Sequence, residues 1–130
     1  MPTRVRIIAE DVLLEAEFFD SPCAQAVIDI LPIEAHPNVW GDEFYFEIPT
    51  KHPLDETATS HVAIGDIGYW PPGSALALFF GPTPLSRGAE PVPASNVNLV
   101  GRIIKDATAL KRVKGAAIVR IERSDVSPSL

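Results

Sequence analysis

Gly65-Asp66-Ile67-Gly68-Tyr69-Trp70-Pro71-Pro72-Gly73-Ser74-Ala75-Leu76-Ala77-Leu78-Phe79-Phe80-Gly81-Pro82-Thr83-Pro84 sets two bulky aromatic residues on a Pro-Pro-Gly corner that feeds a wholly apolar run. A run of six such residues, Ala75 to Phe80, is too short to cross a bilayer and is apolar on both faces, so it predicts a strand covered on both sides. Pro72-Gly73 suits the middle of a type II turn, and an aromatic residue before proline raises the cis share of that bond, which leaves the Trp70-Pro71 isomer open. The stretch carries no nucleophile, metal ligand or phosphate-binding signature, so it speaks to fold before reaction.

Outward from this segment the chain is punctuated in the same way. Thirteen prolines and eight glycines are spread through 130 residues, without internal repeat or low-complexity tract, which favours an all-β architecture over a helical bundle. Its length and 46% hydrophobic content suit one domain, taken as residues 1–124, with 125–130 as a frayed tail. Net charge of −6 opposes nucleic-acid binding, which needs clustered cations, and offers nothing to an anionic membrane. The N-terminal segment reaches Glu10 and Asp11 before a signal-peptide core forms, and the single cysteine permits no internal disulfide. A cytoplasmic location is the expectation.

Val5, Ile7 and Ala9, then Val12, Leu14, Ala16 and Phe18, alternate with more polar neighbours and predict a hairpin turning at Glu10-Asp11. That turn faces Ile7 with Leu14, Val5 with Ala16, Arg6 with Glu15 and Arg4 with Glu17. Asp20 or Ser21 caps a helix with Pro22 in its first turn, Ala24, Val27, Ile28 and Leu31 on its apolar face, and Pro32 as its stop. Cys23 then reads as a small buried residue at the helix start. A second short helix is capped by Asp106 and stopped by Gly115. Strands are expected over 62–64, 97–104 and 117–123.

A second hairpin, Asn38 to Ile48, turns at Gly41-Asp42. It pairs Trp40 with Glu43 and Asn38 with Tyr45 on one face, and puts Val39, Phe44 and Phe46 on the other. One face is core. The other gathers an indole, an amide, a phenol and a carboxylate, the components of a small-molecule or peptide pocket, with Glu43 as general base or hydrogen-bond acceptor. Alternatively, Trp40 shields the end of the fold while Asn38 and Tyr45 tie down loops. Asp66, in a Gly-Asp-x-Gly turn, reads as a backbone cap, and Ser86-Arg87-Gly88 as a solvated loop or a cation at the mouth of a groove. His36, His52 and His61 lack metal-ligand spacing, and hydrolase and nucleotide-binding motifs are absent, so neither metal nor cofactor is expected.

Asn38 to Phe46, Gly65 to Ser86, and Pro93-Ala94-Ser95 with Asn98 and Gly101 together resemble the prokaryotic cyclophilin-like family. The resemblance implies a closed β-barrel of about eight strands with two capping helices. It also raises peptidyl-prolyl isomerisation, which true cyclophilins perform with an arginine in an apolar groove. No arginine lies between Arg6 and Arg87 here, so only Arg87, from a loop, is available for that role. The leading expectation is a groove lined by Trp40, Glu43, Tyr45, Tyr69, Trp70 and Phe80, with Asn38 and Arg87 at its margin, binding a small organic molecule or short peptide. The other classes are an altered isomerase or a metabolite enzyme using Glu43 as base, and an assembly module whose aromatics form an oligomer interface.

Overall fold

The computed structural model describes residues 2–124, so the expected tail at 125–130 lies outside them. Strands β1 (Thr3–Ala9) and β2 (Val12–Phe18) form the first hairpin. Its register pairs Val5 with Ala16, Arg6 with Glu15 and Ile7 with Leu14, as the alternation predicts. Helix α1 (Pro22–Ile28) begins at Ser21, whose side chain accepts from the Ala24 N–H, and buries Cys23, Ala24, Val27 and Ile28. It stops short of Leu31, and the Leu31-Pro32 bond is cis.

The strands β3 (Ile33–Ala35), β4 (Asn38–Val39), β5 (Glu43–Glu47), β6 (Ala58–Thr59), β7 (Asp66–Trp70), β8 (Ala75–Phe79), β9 (Val97–Ile103) and β10 (Val119–Arg123) complete one antiparallel sheet. Nine strands run β3-β10-β1-β2-β9-β7-β8-β5-β4, and β6 attaches to β9 beyond the end of β2. The expected closed barrel is thus corrected to a curled half-barrel, because no ladder joins the edge strands β3 and β4. Only His36 and Pro37 separate those strands in sequence, so Ala35 and Asn38 stay near each other although the two edges do not pair. Pro37 has no N–H to offer a closing ladder, and His36 turns Nδ1 toward the Ala117 carbonyl at 2.8 Å.

Further details differ from expectation. The second helix is a 3₁₀ segment, Ala107–Val113, with Asp106 accepting from the Thr108 N–H. The strand expected at 62–64 is replaced by β6, with Val62 buried beside it. At the Pro-Pro-Gly corner, Pro71–Gly73 form one 3₁₀ turn, and the left-handed residue is Ser74 rather than Gly73. The Trp70-Pro71 bond, whose isomer the sequence leaves open, is trans, since Leu31-Pro32 is the one cis bond among the described residues.

The sheet has two apolar faces. On the inner face Phe44, Phe46, Ile67, Tyr69, Leu76, Leu78 and Phe80 pack with β1, β2, α1 and the 3₁₀ segment into the main core. Phe44 and Phe80 meet with ring centroids 5.0 Å apart. On the outer face Val62, Ala77, Phe79 and Val97 form a smaller cluster, joined by Tyr45, Trp70 and Leu99. β8 is therefore buried on both sides, as its unbroken apolar run predicts.

Candidate functional site: a groove on the outer face

The outer face of β5, β7, β8 and β9 carries a cavity of about 220 Å³, lined by Trp40, Glu43, Tyr45, Trp70, Ala77, Phe79, Pro93, Ala94 and Val97. Its floor follows from the register. Tyr45 pairs with Ala77, Ala77 with Gly68, and Gly68 with Leu99, so two small residues lie in the middle of a row with larger ones at its ends. The result is a dip in the sheet surface. Val97 leans over Gly68, where a β-carbon would come within 2.8 Å of its Cγ2.

The walls come from the hairpin and the corner. Glu43 pairs with Phe79, and the Trp40 N–H donates to the Glu43 carbonyl at 3.0 Å, which closes the turn at Gly41-Asp42. Gly41 adopts φ +63°, and a β-carbon there would strike the Pro82 carbonyl and Thr83, so the close approach of that loop requires glycine. The Trp70 indole meets the Tyr45 ring edge-on at 6.5 Å and lies across Gly73, whose absent side chain leaves room for it. Its Nε1–H donates to Ser95 Oγ at 2.7 Å, tying the roof formed by Pro93 and Ala94 to the wall.

Glu43 is the polar exception in this lining. It is only 6% exposed, and its Oε1 is buried without a hydrogen-bond partner. Burial pushes its carboxyl up from 4.5 to about 8, with no charged neighbour offsetting the effect. At neutral pH it is therefore chiefly a protonated acid, able to donate through O–H and accept through C=O.

Other expected site residues lie elsewhere. Side chains alternate along a strand, so Tyr69 and Trp70 cannot share a face. Tyr69 is wholly buried in the main core, where its hydroxyl donates to the Thr50 carbonyl at 2.5 Å. Phe80 is in the core against Phe44, and Phe79 takes the groove position. Asn38 is exposed and donates to the Tyr45 carbonyl, tying down the hairpin end. Val39, expected in the core, is exposed. Arg87 is exposed and outside the lining, on a loop held by Ser86, whose Oγ accepts from the Thr83 N–H and donates to the Glu90 carbonyl. Asp66 accepts from the Ala63 N–H at 2.8 Å, the expected cap. Pro93 and Ala94 sit on a proline-broken loop that gives no periodicity, and Val97 opens an apolar strand whose residues do not mark which face is outward; the signal for Ala77 is the small-large alternation of Ala75-Leu76-Ala77-Leu78.

Tyr69→Phe is expected to lower stability by about 1–3 kcal/mol, because the buried Thr50 carbonyl loses its partner, while leaving groove binding unchanged. Chemical denaturation alongside a ligand titration checks both; a loss of binding would put Tyr69 in the groove's function after all.

Cys23, His52 and Asp55 come together on the inner side of the sheet, their donor atoms all within 4.8 Å of one another. Burial, the largest influence, pushes the Cys23 thiol up, opposed by a hydrogen bond from Asn98. No helix among the described residues is long and apolar enough to cross a membrane.

No curated protein matches the chain. Among solved structures, it is similar to the hypothetical protein AF2241 from Archaeoglobus fulgidus, determined in solution, at 38% identity over 95% of each chain with a TM-score of 0.78. McbB in complex with tryptophan has the same fold at 15% identity, with a TM-score of 0.68 over 97% of this chain but 46% of McbB. A family model described as cyclophilin-like matches residues 3–122, nearly the whole described sheet with its two caps. The chain belongs to the cyclophilin-like family.

Proposed function

We propose that the outer-face groove binds a small, largely apolar ring compound, with protonated Glu43 as its polar anchor. The observation that carries this reading is the unpartnered Glu43 Oε1 inside an aromatic cavity. A buried polar group without a partner costs about 1–3 kcal/mol, and a ligand that satisfies it recovers that cost on binding. A volume of about 220 Å³ equals roughly seven waters' share of liquid, enough for one or two rings but not a folded peptide segment. The ligand's complementary edge is an N–H beside a C=O, or a single N–H, because a neutral acid both donates and accepts.

The fold relative McbB has been seen with tryptophan, a ring compound with an N–H. Prolyl isomerisation gains no support from the lining, which contains no arginine. Glu43 with a carboxyl near 8 suits proton transfer, and the Tyr45 phenol is the one other ionisable side chain in the lining, with no nucleophile beside them.

Thermal-shift screening of single- and fused-ring heterocycles tests the proposal. A ligand selective for the native state raises Tm. Compounds with an N–H edge are expected to stabilise the wild type, and Glu43→Leu is expected to weaken the best of them roughly 10- to 100-fold. Equal shifts in wild type and variant, or a Trp70→Ala change that alters solution mass and no ligand response, would contradict the reading and favour an oligomer interface.

A further inference from the structure

We infer that Cys23, His52 and Asp55 form a binding site for one divalent transition-metal ion of the zinc class, on the opposite side of β9 from the groove. Val97 faces the groove and Asn98, the next residue, faces this cluster, so the two sites share a strand without sharing a side chain.

The three donors come from separate parts of the chain. Cys23 is buried in the first turn of α1, whereas His52 and Asp55 stand half-buried on the irregular segment between β5 and β6. Asp55 is already oriented. Its Oδ1 accepts from both the N–H and the hydroxyl of Thr57, at 2.8 and 2.6 Å, which leaves Oδ2 buried without a hydrogen-bond partner, 4.0 Å from His52 Nδ1. Fully buried Asn98 fastens this segment to the sheet: its Oδ1 accepts from the Asp55 N–H and its Nδ2 donates to the Pro53 carbonyl. The Pro53 carbonyl accepts from His52 Nδ1–H at 2.8 Å, which places the ring proton on Nδ1 and leaves Nε2 as the nitrogen with a lone pair for the ion. Outer contacts of this kind fix ligand orientation in metal centres.

In a tetrahedral zinc site with bonds of about 2.0–2.3 Å, neighbouring donors stand roughly 3.3–3.8 Å apart. Donors within 4.8 Å of one another therefore need to close by about 1 Å, a movement available to a segment without helix or strand. Thiolate with imidazole and carboxylate selects zinc-class ions over magnesium or calcium, and three protein donors leave a fourth position open. Binding deprotonates the thiol, with the proton passing to solvent.

The test uses the reduced, metal-free full chain titrated with Co²⁺ alone. One equivalent is expected to produce thiolate-to-cobalt charge-transfer absorption. The absorption should vanish in Cys23→Ser, persist in His36→Ala, and require at least tenfold more cobalt in His52→Ala and in Asp55→Asn. Zn²⁺ should displace the cobalt and raise Tm. No charge-transfer absorption at excess Co²⁺, or absorption that survives Cys23→Ser, would overturn the site. Should Cys23→Ser not fold, His52→Ala decides, since unchanged cobalt affinity there overturns it equally.

Discussion

Wild-type stability is expected to fall as pH rises from about 4.5 to 8, relative to a Glu43→Gln variant, by on the order of a few kcal/mol in all. Below 4.5 the Glu43 carboxyl is protonated in both folded and unfolded chains and has no effect on their balance. Between 4.5 and 8 the unfolded chain releases its proton while the folded one retains it. The folded state then binds more protons than the unfolded state, so its relative stability declines with pH. Above about 8 both are ionised and the difference levels off. Glutamine keeps the shape but has no proton to lose, and subtracting the two denaturation curves removes the other titrating groups. Parallel curves from pH 5 to 9 would mean that Glu43 titrates as an ordinary surface acid.

The same acid sets the pH range of binding. A ligand edge that both donates and accepts matches the protonated form, so affinity should hold up to about pH 8 and weaken above it.

Gly101→Ala is expected to be among the most damaging single-methyl additions in the chain, costing roughly 3 kcal/mol or more. Gly101 pairs with Phe18 where β2 meets β9, one of only three register pairs on that seam. A β-carbon would fall on the Glu17 carbonyl oxygen and lie 2.9 Å from Phe18 Cδ1 and 3.2 Å from Phe18 Cα. Two of these atoms are backbone and cannot swing away. Relief requires opening the ladder that joins the β1-β2 hairpin to the groove-bearing strands. Gly115→Ala is the control, because a β-carbon there meets nothing within 4 Å, and its effect should stay within about 0.5 kcal/mol. Urea midpoints of the two variants check the contrast, and equal values would show that the β2-β9 seam yields more easily than its geometry implies.

Much of the fold was legible because period-two alternation is a local signal. The β1-β2 register followed from apolar matching and from charge pairing alike, and the unbroken run from Ala75 announced a strand buried on both faces. The Asn38-Tyr45 pairing followed from placing the turn at Gly41-Asp42. What alternation could not give was closure. Whether the edge strands join depends on how His36-Pro37 crosses between them, a two-residue step with no alternation to set a register.

The groove was half legible for the same reason. Glu43, Trp40 and Tyr45 share a face by register, whereas aromatic composition alone groups Tyr69 and Phe80 with Trp70, against the alternation that sends Tyr69 and Trp70 apart. The inward partner of each aromatic pair, Tyr69 and Phe80, serves the core; the outward one, Trp70 and Phe79, faces the groove. The meeting of Cys23 with His52 and Asp55 was invisible, since it depends on Asn98 pinning a patternless segment beside a helix start.

The chain holds two tryptophans, Trp40 and Trp70, and both line the groove. Their two indole N–H resonances in a ¹H–¹⁵N NMR titration with the best heterocycle from the screen therefore report directly on the proposed site. Both signals are expected to move together with one saturation curve in the wild type, and far less in Glu43→Leu at the same ligand concentration. Two unmoved indole signals while the heterocycle still raises Tm would place binding elsewhere and refute the groove.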